Sequence, residues 1–215
     1  MKSQSCGLSL PVSSLSVEAA DPASAGVAAT GGGVLWLTGL PGAGKTTLAQ
    51  ALAVRLRGRG TAAVVLDGDR LRTGLNRDLG FSERDRFENV RRTAEVAALF
   101  VEAGIVAIVA MISPHAAMRE LARATIGDAF REVYVSTPVD VCAARDPKGL
   151  YAKAYRGELP EFTGVSSPYD APTDAALVLD TASRSIGACV DALLRLTSDA
   201  FGHGVEAGTT LHGQR

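Results

Sequence analysis

Residues 39–46 read Gly39-Leu40-Pro41-Gly42-Ala43-Gly44-Lys45-Thr46, a complete G-x-x-x-x-G-K-[ST] loop, and no other stretch restricts the fold as strongly. The glycines allow positive φ and let backbone N–H groups approach phosphate oxygens with no Cβ in the way. A helix starting where the loop ends aims its positive dipole end at the same anion. Lys45 is then placed to reach the β- and γ-phosphates of a nucleoside triphosphate, and Thr46 to ligate Mg²⁺. Such a loop needs a strand before it and a helix after it. Val34-Leu35-Trp36-Leu37-Thr38 supplies the first, and Leu48, Leu52 and Leu56, at four-residue spacing, supply the second. A Gly-rich turn that binds nothing is the competing reading, and this context weighs against it. The nucleotide-binding segment is therefore expected over residues 39–47, Thr47 included.

Downstream the alternation of strand and helix repeats. Continuous apolar runs at 34–38, 62–67, 105–112, 131–136 and 175–180 suit strands of a sheet buried on both faces. Helices fit at 45–57, stopped by Gly58 and Gly60; at 83–103, stopped by Gly104; at 115–126; and at 184–198. In the second of these, Ser82 and Asp85 form a capping box, and Val90, Ala94, Ala97 and Val101 an apolar stripe. The fold class that follows is α/β, a P-loop NTPase-type three-layer fold with a five-stranded parallel doubly wound sheet. Its ligands should lie at the carboxyl ends of the strands.

With 215 residues and 47% apolar content, the chain can bury one core of about 150 to 180 residues. The domain is expected over 33–199, between a Ser-, Ala- and Gly-rich extension at 1–32 and a similar tail at 200–215, both weakly ordered. A net charge of −1 gives no reason to expect nucleic acid or an anionic membrane as partner. No apolar stretch approaches the ~20 residues that a membrane helix needs. Cys6, Cys142 and Cys189 are far apart, and His115, His203 and His212 lack ligand spacing. Reduced thiols, a cytoplasmic setting and no structural zinc follow.

Polar residues next concentrate at strand ends. The run 62–67 leads into Asp67-Gly68-Asp69, which sets two carboxylates beside the phosphate loop. One can hold Mg²⁺ or its waters and one can accept a hydroxyl proton from an acceptor substrate; a pair of turn or cap aspartates is the alternative. Thr38 and Ser113 also sit at strand ends, where satisfying backbone groups would explain either. Seven arginines follow, Arg70, Arg72, Arg77, Arg84, Arg86, Arg91 and Arg92, enough to bind an anionic acceptor through guanidinium forks. Interleaved acids suggest that ion pairs on a solvated helix face account for about four of them. Between the fourth and fifth strands lies a long interruption, about 146–170, that holds Tyr151, Tyr155, Tyr169 and Phe162. A segment of this length reads as a functional lid. Of 22 basic residues only Lys2, Lys45, Lys148 and Lys153 are lysines, and two of these fall in the lid. Solubilising a helix is the plainer reading for those two.

Together these segments resemble the adenylylsulfate kinase family. The phosphate loop, Asp67-Gly68-Asp69 with Arg72 and Gly74-Leu75, Asp78-Leu79-Gly80-Phe81-Ser82, Asp85-Arg86, Glu88-Asn89 and Arg91-Arg92 look like its central motif. Ile112-Ser113-Pro114, Arg145-Asp146-Pro147-Lys148-Gly149-Leu150-Tyr151, Phe162-Thr163-Gly164 and Ser167-Pro168-Tyr169 match further along, within about residues 33–182.

The resemblance implies transfer of the γ-phosphoryl group of ATP, with Mg²⁺, to the 3′-hydroxyl of adenosine 5′-phosphosulfate. The product is 3′-phosphoadenosine 5′-phosphosulfate. It implies that Arg72, Phe81, Arg86, Asn89 and Ile112 hold the acceptor and that Phe162 closes on its adenine; stacking is worth on the order of 1–3 kcal/mol per base. Arg145 would lie near the ATP adenine and Lys148 near the transferring phosphates. Asp67 and Asp69 would divide metal positioning and proton acceptance. Ser113 matches a serine that the family is sometimes credited with phosphorylating as an intermediate, although direct in-line transfer needs only positioning and charge stabilisation. A homodimer and an associated ATP sulfurylase are the partners implied. Some departures fall on the acceptor side: His115-Ala116 replace an aromatic or similar residue and Arg, with Arg119 matching the later arginine; Arg70 replaces Asn; and Ala152 replaces a lid lysine. Another P-loop small-molecule kinase with a changed acceptor, and a nucleotide-binding domain without turnover, are the alternatives.

Overall fold

The computed structural model describes residues 31–202; residues 1–30 of the expected extension and 203–215 of the expected tail, with Cys6, His203 and His212, lie outside them. In chain order the elements are β1 (Gly33–Thr38), α1 (Lys45–Arg57), β2 (Ala63–Asp67), α2 (Gly68–Arg72), α3 (Glu83–Glu102), β3 (Val106–Ala110), α4 (Ala116–Ile126), β4 (Phe130–Val135), α5 (Val139–Arg145), α6 (Leu150–Tyr155), β5 (Leu177–Leu179) and α7 (Ile186–Phe201). The strands form one parallel sheet in the order β2-β3-β1-β4-β5.

Central β1 explains the layering. All of its residues are buried, and the strand period of two sends Leu35 and Leu37 to one face and Val34 and Trp36 to the other. On the first face they join Leu48, Leu52 and Leu56 of α1 and Leu193 of α7. On the second they join Val90, Ala94 and Ala97 of α3 and Met118 and Ala122 of α4. A strand covered on both faces has no solvent side, hence its unbroken apolar sequence. Leu37 is level with Ala110 of β3, Thr38 with Tyr134 of β4, and Asp67 of β2 with Ala110. The segments that follow these strands therefore leave from one edge of the sheet.

Element ends follow local chemistry. Ser82 caps α3 by accepting from the Asp85 N–H at 3.2 Å, but the Asp85 carboxylate turns to the Gly80 N–H at 3.0 Å, so only half of the expected capping box closes. α7 starts after its cap Ser185 and runs beyond the expected end at 198 because Phe201 is itself a core residue. Its ring fills the space at Gly33, 2.3 Å from where a Cβ would stand. β3 and β5 are shorter than the expected 105–112 and 175–180, since the chain leaves the ladder to build the rim of the site. α2, α5 and α6, of five, seven and six residues, are not among the expected helices; such lengths are too short to display a helical period.

Candidate active site

Backbone geometry shapes the loop between β1 and α1 before charge does. A Cβ on Gly39 would lie 2.5 Å from the Val135 carbonyl oxygen of β4, and Gly44 has φ 101 immediately before α1. Close approach excludes a side chain at the first, and left-handed backbone disfavours one at the second. No side chain caps α1, so its first N–H groups are left for an anion. Lys45 is 8% exposed and donates to the carbonyls of Gly39 and Leu40, each at 2.8 Å. Burial lowers its ammonium from the ordinary 10.5 to about 8, opposed by the charges of Cys142, Asp69 and Asp67.

A second layer holds the loop from beneath. The hydroxyls of Thr137 and Thr181 meet the Ala43 carbonyl at 3.1 and 2.9 Å, and Arg145 donates to the Thr181 hydroxyl and carbonyl at 2.8 and 2.7 Å. Tyr151 of α6 donates to the Pro41 carbonyl at 3.0 Å. Thr137, Thr181 and Tyr151 escaped the sequence reading of site residues. For Thr137 a signal existed, its place just after a strand at the carboxyl edge of the sheet.

Asp67 is both a cap and a partner of the phosphate loop. Its Oδ1 accepts from the N–H groups of Asp69 and Arg70 at 3.0 and 3.2 Å, and its Oδ2 accepts from the Thr46 hydroxyl at 2.6 Å. Asp69, exposed on α2, is paired with Lys148 of the lid. The charge of Asp69 is felt by Lys45 on one side and by Arg72 on the other. Asp69 therefore stands where the phosphate loop, the arginine segment and the lid meet. Lys153 is exposed on α6, and its charge is felt by the nearby Glu158 carboxylate.

The residues expected on the acceptor side are tied to one another largely through main-chain oxygens. Arg72 donates to the carbonyls of Leu79 and Gly80 at 3.2 and 2.7 Å, and its guanidinium lies 4.6 Å from the centroid of Phe81. Burial and the neighbouring Arg86 lower it from its ordinary value, with Asp69 and Asp85 opposing. Arg86 donates to the Phe81 carbonyl at 2.8 Å, the Thr163 hydroxyl at 2.9 Å and the Glu161 carbonyl at 2.6 Å. It thereby fastens the loop that carries Phe81 to the lid segment that carries Phe162. Phe81 is 67% exposed, whereas half-buried Phe162 stands edge-on to Tyr151, 5.0 Å between centroids. Asn89 is buried, its Oδ1 accepting from Asn76 at 2.7 Å. Ion pairs occupy Arg91 and Arg92, with Glu88 at 2.8 Å and Asp78 at 2.7 Å. That is fewer than the interleaved charges suggest, because Asp67, Asp69 and Asp85 are engaged elsewhere.

Ser113 is a buried strut. It has φ 38, accepts from Trp36 Nε1 at 3.1 Å and donates to Thr38 at 3.1 Å. Thr38 in turn donates to the Ile112 carbonyl at 2.6 Å and meets the Tyr169 hydroxyl at 2.9 Å. Arg119 donates to the carbonyls of Ser113 and Asp170 at 3.0 and 2.7 Å, and stands 2.6 Å from Glu132. At the His115-Ala116 departure, the Asp170 carboxylate takes the Ala116 N–H at 3.1 Å and faces His115 Nδ1 at 3.5 Å. The lid's far end is thus fastened at the start of α4. Among the described residues no helix is long and apolar enough to cross a membrane.

Known proteins resemble this chain over most of its described residues. The model of the adenylylsulphate kinase family matches residues 31–180. The adenylyl-sulfate kinase of Paraburkholderia xenovorans is 55% identical over 168 residues, 78% of this chain and 94% of that protein. That of Bacteroides fragilis is 52% identical over 166 residues, 77% of this chain and 82% of that protein. Among solved structures, the Mycobacterium tuberculosis APS kinase CysC in complex with AMPPNP and APS is 46% identical, with a TM-score of 0.75, covering 78% of this chain and 98% of that one.

Proposed function

Because the chain belongs to the adenylylsulphate kinase family, we propose that it transfers the γ-phosphoryl group of ATP to the 3′-hydroxyl of adenosine 5′-phosphosulfate, giving 3′-phosphoadenosine 5′-phosphosulfate and ADP. The observation that carries this reading is the position of Asp69, paired with Lys148 and within the field of both Lys45 and Arg72. A single carboxylate there faces donor and acceptor together.

Each residue then has a task. The loop N–H groups and Lys45 hold the donor phosphates, with Arg145 at the edge of the loop toward the adenine. The Thr46 hydroxyl and Asp67 carboxylate, 2.6 Å apart, are an all-oxygen pair of the kind Mg²⁺ accepts. Such an ion, bound with the nucleotide, would supply positive charge to the transferring phosphates. Both oxygens of Asp67 are engaged, one by two N–H groups and one by Thr46, which supports a place for it on the metal side. Asp69 has a releasable partner: Lys148 moves to the transferring phosphoryl group, and the freed carboxylate accepts the 3′-hydroxyl proton. Arg72, Arg86 and Asn89 position the acceptor with Ile112, and Phe81 and Phe162 stack on its adenine. Ser113, buried and hydrogen-bonded on both sides, holds the strand ends. Its engaged hydroxyl favours direct transfer over a phosphoserine intermediate.

A cytoplasmic homodimer supplied with its acceptor by an ATP sulfurylase is the setting we infer from family resemblance; sedimentation with and without that enzyme reads both associations. The activity itself is tested by coupled ADP release with adenosine 5′-phosphosulfate against a panel of nucleosides and sugars. Turnover should depend on the phosphosulfate. Turnover with another acceptor only would identify a changed kinase, and ATP binding without any acceptor-dependent ADP release would overturn the enzyme assignment.

A further inference from the structure

Three consecutive carbonyls of the phosphate loop are held by side chains. Gly39 and Leu40 take the Lys45 ammonium at 2.8 Å, and Pro41 takes the Tyr151 hydroxyl at 3.0 Å. Tyr151 is 2% exposed, and the other end of its contacts is the lid: Phe162 stands against its ring at 5.0 Å and 82°. The lid leans on the same loop again at Gly164, φ 89, where a Cβ would come within 2.9 Å of Leu40 Cδ2. Phe162 is therefore bracketed by two contacts that both end on residues 40 and 41.

We propose that Tyr151 is a positioning residue that couples occupancy of the phosphate loop to the placement of Phe162 against the acceptor base. The role rests on the kinase reading above. A bound triphosphate draws the Lys45 ammonium from the Gly39 and Leu40 carbonyls toward its own oxygens. Among the described residues, the Tyr151 hydroxyl is then the side-chain tie left on that row of carbonyls. A buried aromatic ring is stiff, so a shift of the Pro41 carbonyl is passed to whatever packs on the ring. Burial holds the Tyr151 phenol well above its ordinary range, which keeps it a hydrogen-bond donor at working pH. The hydroxyl and the ring have separable jobs: one senses Pro41, the other seats Phe162.

Tyr151→Phe separates them, because it keeps the ring and removes the hydroxyl. In the unaltered chain AMPPNP should slow amide hydrogen exchange over residues 150–165. It should also tighten binding of adenosine 5′-phosphosulfate by about 5-fold or more, the lower end of measured couplings between sites. In Y151F each ligand alone should bind much as before, while both effects of AMPPNP vanish. A purely structural role would lower the melting temperature and leave the coupling intact. Equal coupling in Y151F and the unaltered chain overturns the proposal, as does a lid whose exchange ignores AMPPNP in the unaltered chain. The exchange readout needs no acceptor. If exchange responds to AMPPNP through Tyr151 while the phosphosulfate is not phosphorylated, the acceptor assignment falls and the positioning role stands.

Discussion

The two halves of the proposed site, donor and acceptor, are fastened in different ways. The donor half is anchored from within the domain. Lys45 is buried, Thr137 reaches Ala43 from the end of β4, and Tyr151 and Thr181 reach the same loop from far along the chain. The acceptor half is open at its rim. Phe81 is exposed, Asp69 and Lys148 meet in solvent, and one side chain, Arg86, joins helix, loop and lid. A half held from within the domain needs little rearrangement beyond the turn of Lys45 toward the phosphates, whereas an assembled half makes its contacts as substrate arrives. Substitutions should therefore divide: those in the donor half and at the junction change turnover, those in the acceptor half change acceptor binding, and Tyr151, which touches both, changes the coupling between them.

The largest effect is expected at the junction. Asp69→Asn removes the proposed proton acceptor and should lower kcat by about 10³-fold, within the range for general-base catalysis. Asp67→Asn should instead raise the Mg²⁺ concentration needed for half-maximal rate. Steady-state rates across a Mg²⁺ titration distinguish the two; the reverse pattern would exchange their roles. A smaller effect belongs to the acceptor half. Arg86→Ala loses charge-assisted hydrogen bonds to Phe81, Thr163 and Glu161, and should raise KM for the acceptor about 10- to 100-fold with KM for ATP little changed. Equal changes in both KM values would show that the two halves are not separately fastened.

How much was legible in the sequence follows the same division. The phosphate loop, β1 and Asp67-Gly68-Asp69 are contiguous, so spacing and apolar periodicity suffice to place them on a strand, a loop and a helix start. The order β2-β3-β1-β4-β5 follows from parallel strands with helices on both faces only as a class, since neither the strand order nor the register is written locally. What escaped are long-range contacts of hydroxyl groups. Thr137 and Thr181 meet Ala43 across 94 and 138 residues of chain, and Tyr151 meets Pro41 across 110. No local pattern encodes such meetings. The arginine segment was overestimated as an ion-pair face because charge alternation does not say which acids are already engaged: Asp67 caps α2 and Asp85 turns to Gly80. The lid segment was legible as an interruption, but its short helix α6 was not, because its six residues are fixed by burial of Tyr151 and Ala154 rather than by propensity.

The smallest effect, and the sharpest on the donor half, is a proton. Lys45 titrates at about 8 in the folded chain against 10.5 ordinarily, because burial opposes its charge. Below pH 8 both folded and unfolded chains carry the ammonium, and the folded state bears the full cost of burying it. Between pH 8 and 10.5 the unfolded chain binds more proton than the folded one, so this residue's contribution to stability rises with pH across that window, by up to about 3 kcal/mol. Donor phosphates act the other way: they favour the charged form, so ATP binding should draw a proton onto Lys45. Calorimetry at pH 9 in buffers of different ionisation enthalpy should show uptake of up to about one proton per ATP, fading by pH 6.5 and absent in Lys45→Ala. The acceptor half carries arginines, which stay charged, so the phosphosulfate should take up none. Buffer-independent heats for ATP at pH 9 would mean that the Gly39 and Leu40 carbonyls already keep Lys45 charged. The contrast between a buried, electrostatically strained donor half and a solvated acceptor half would then lose its electrostatic part and rest on packing alone.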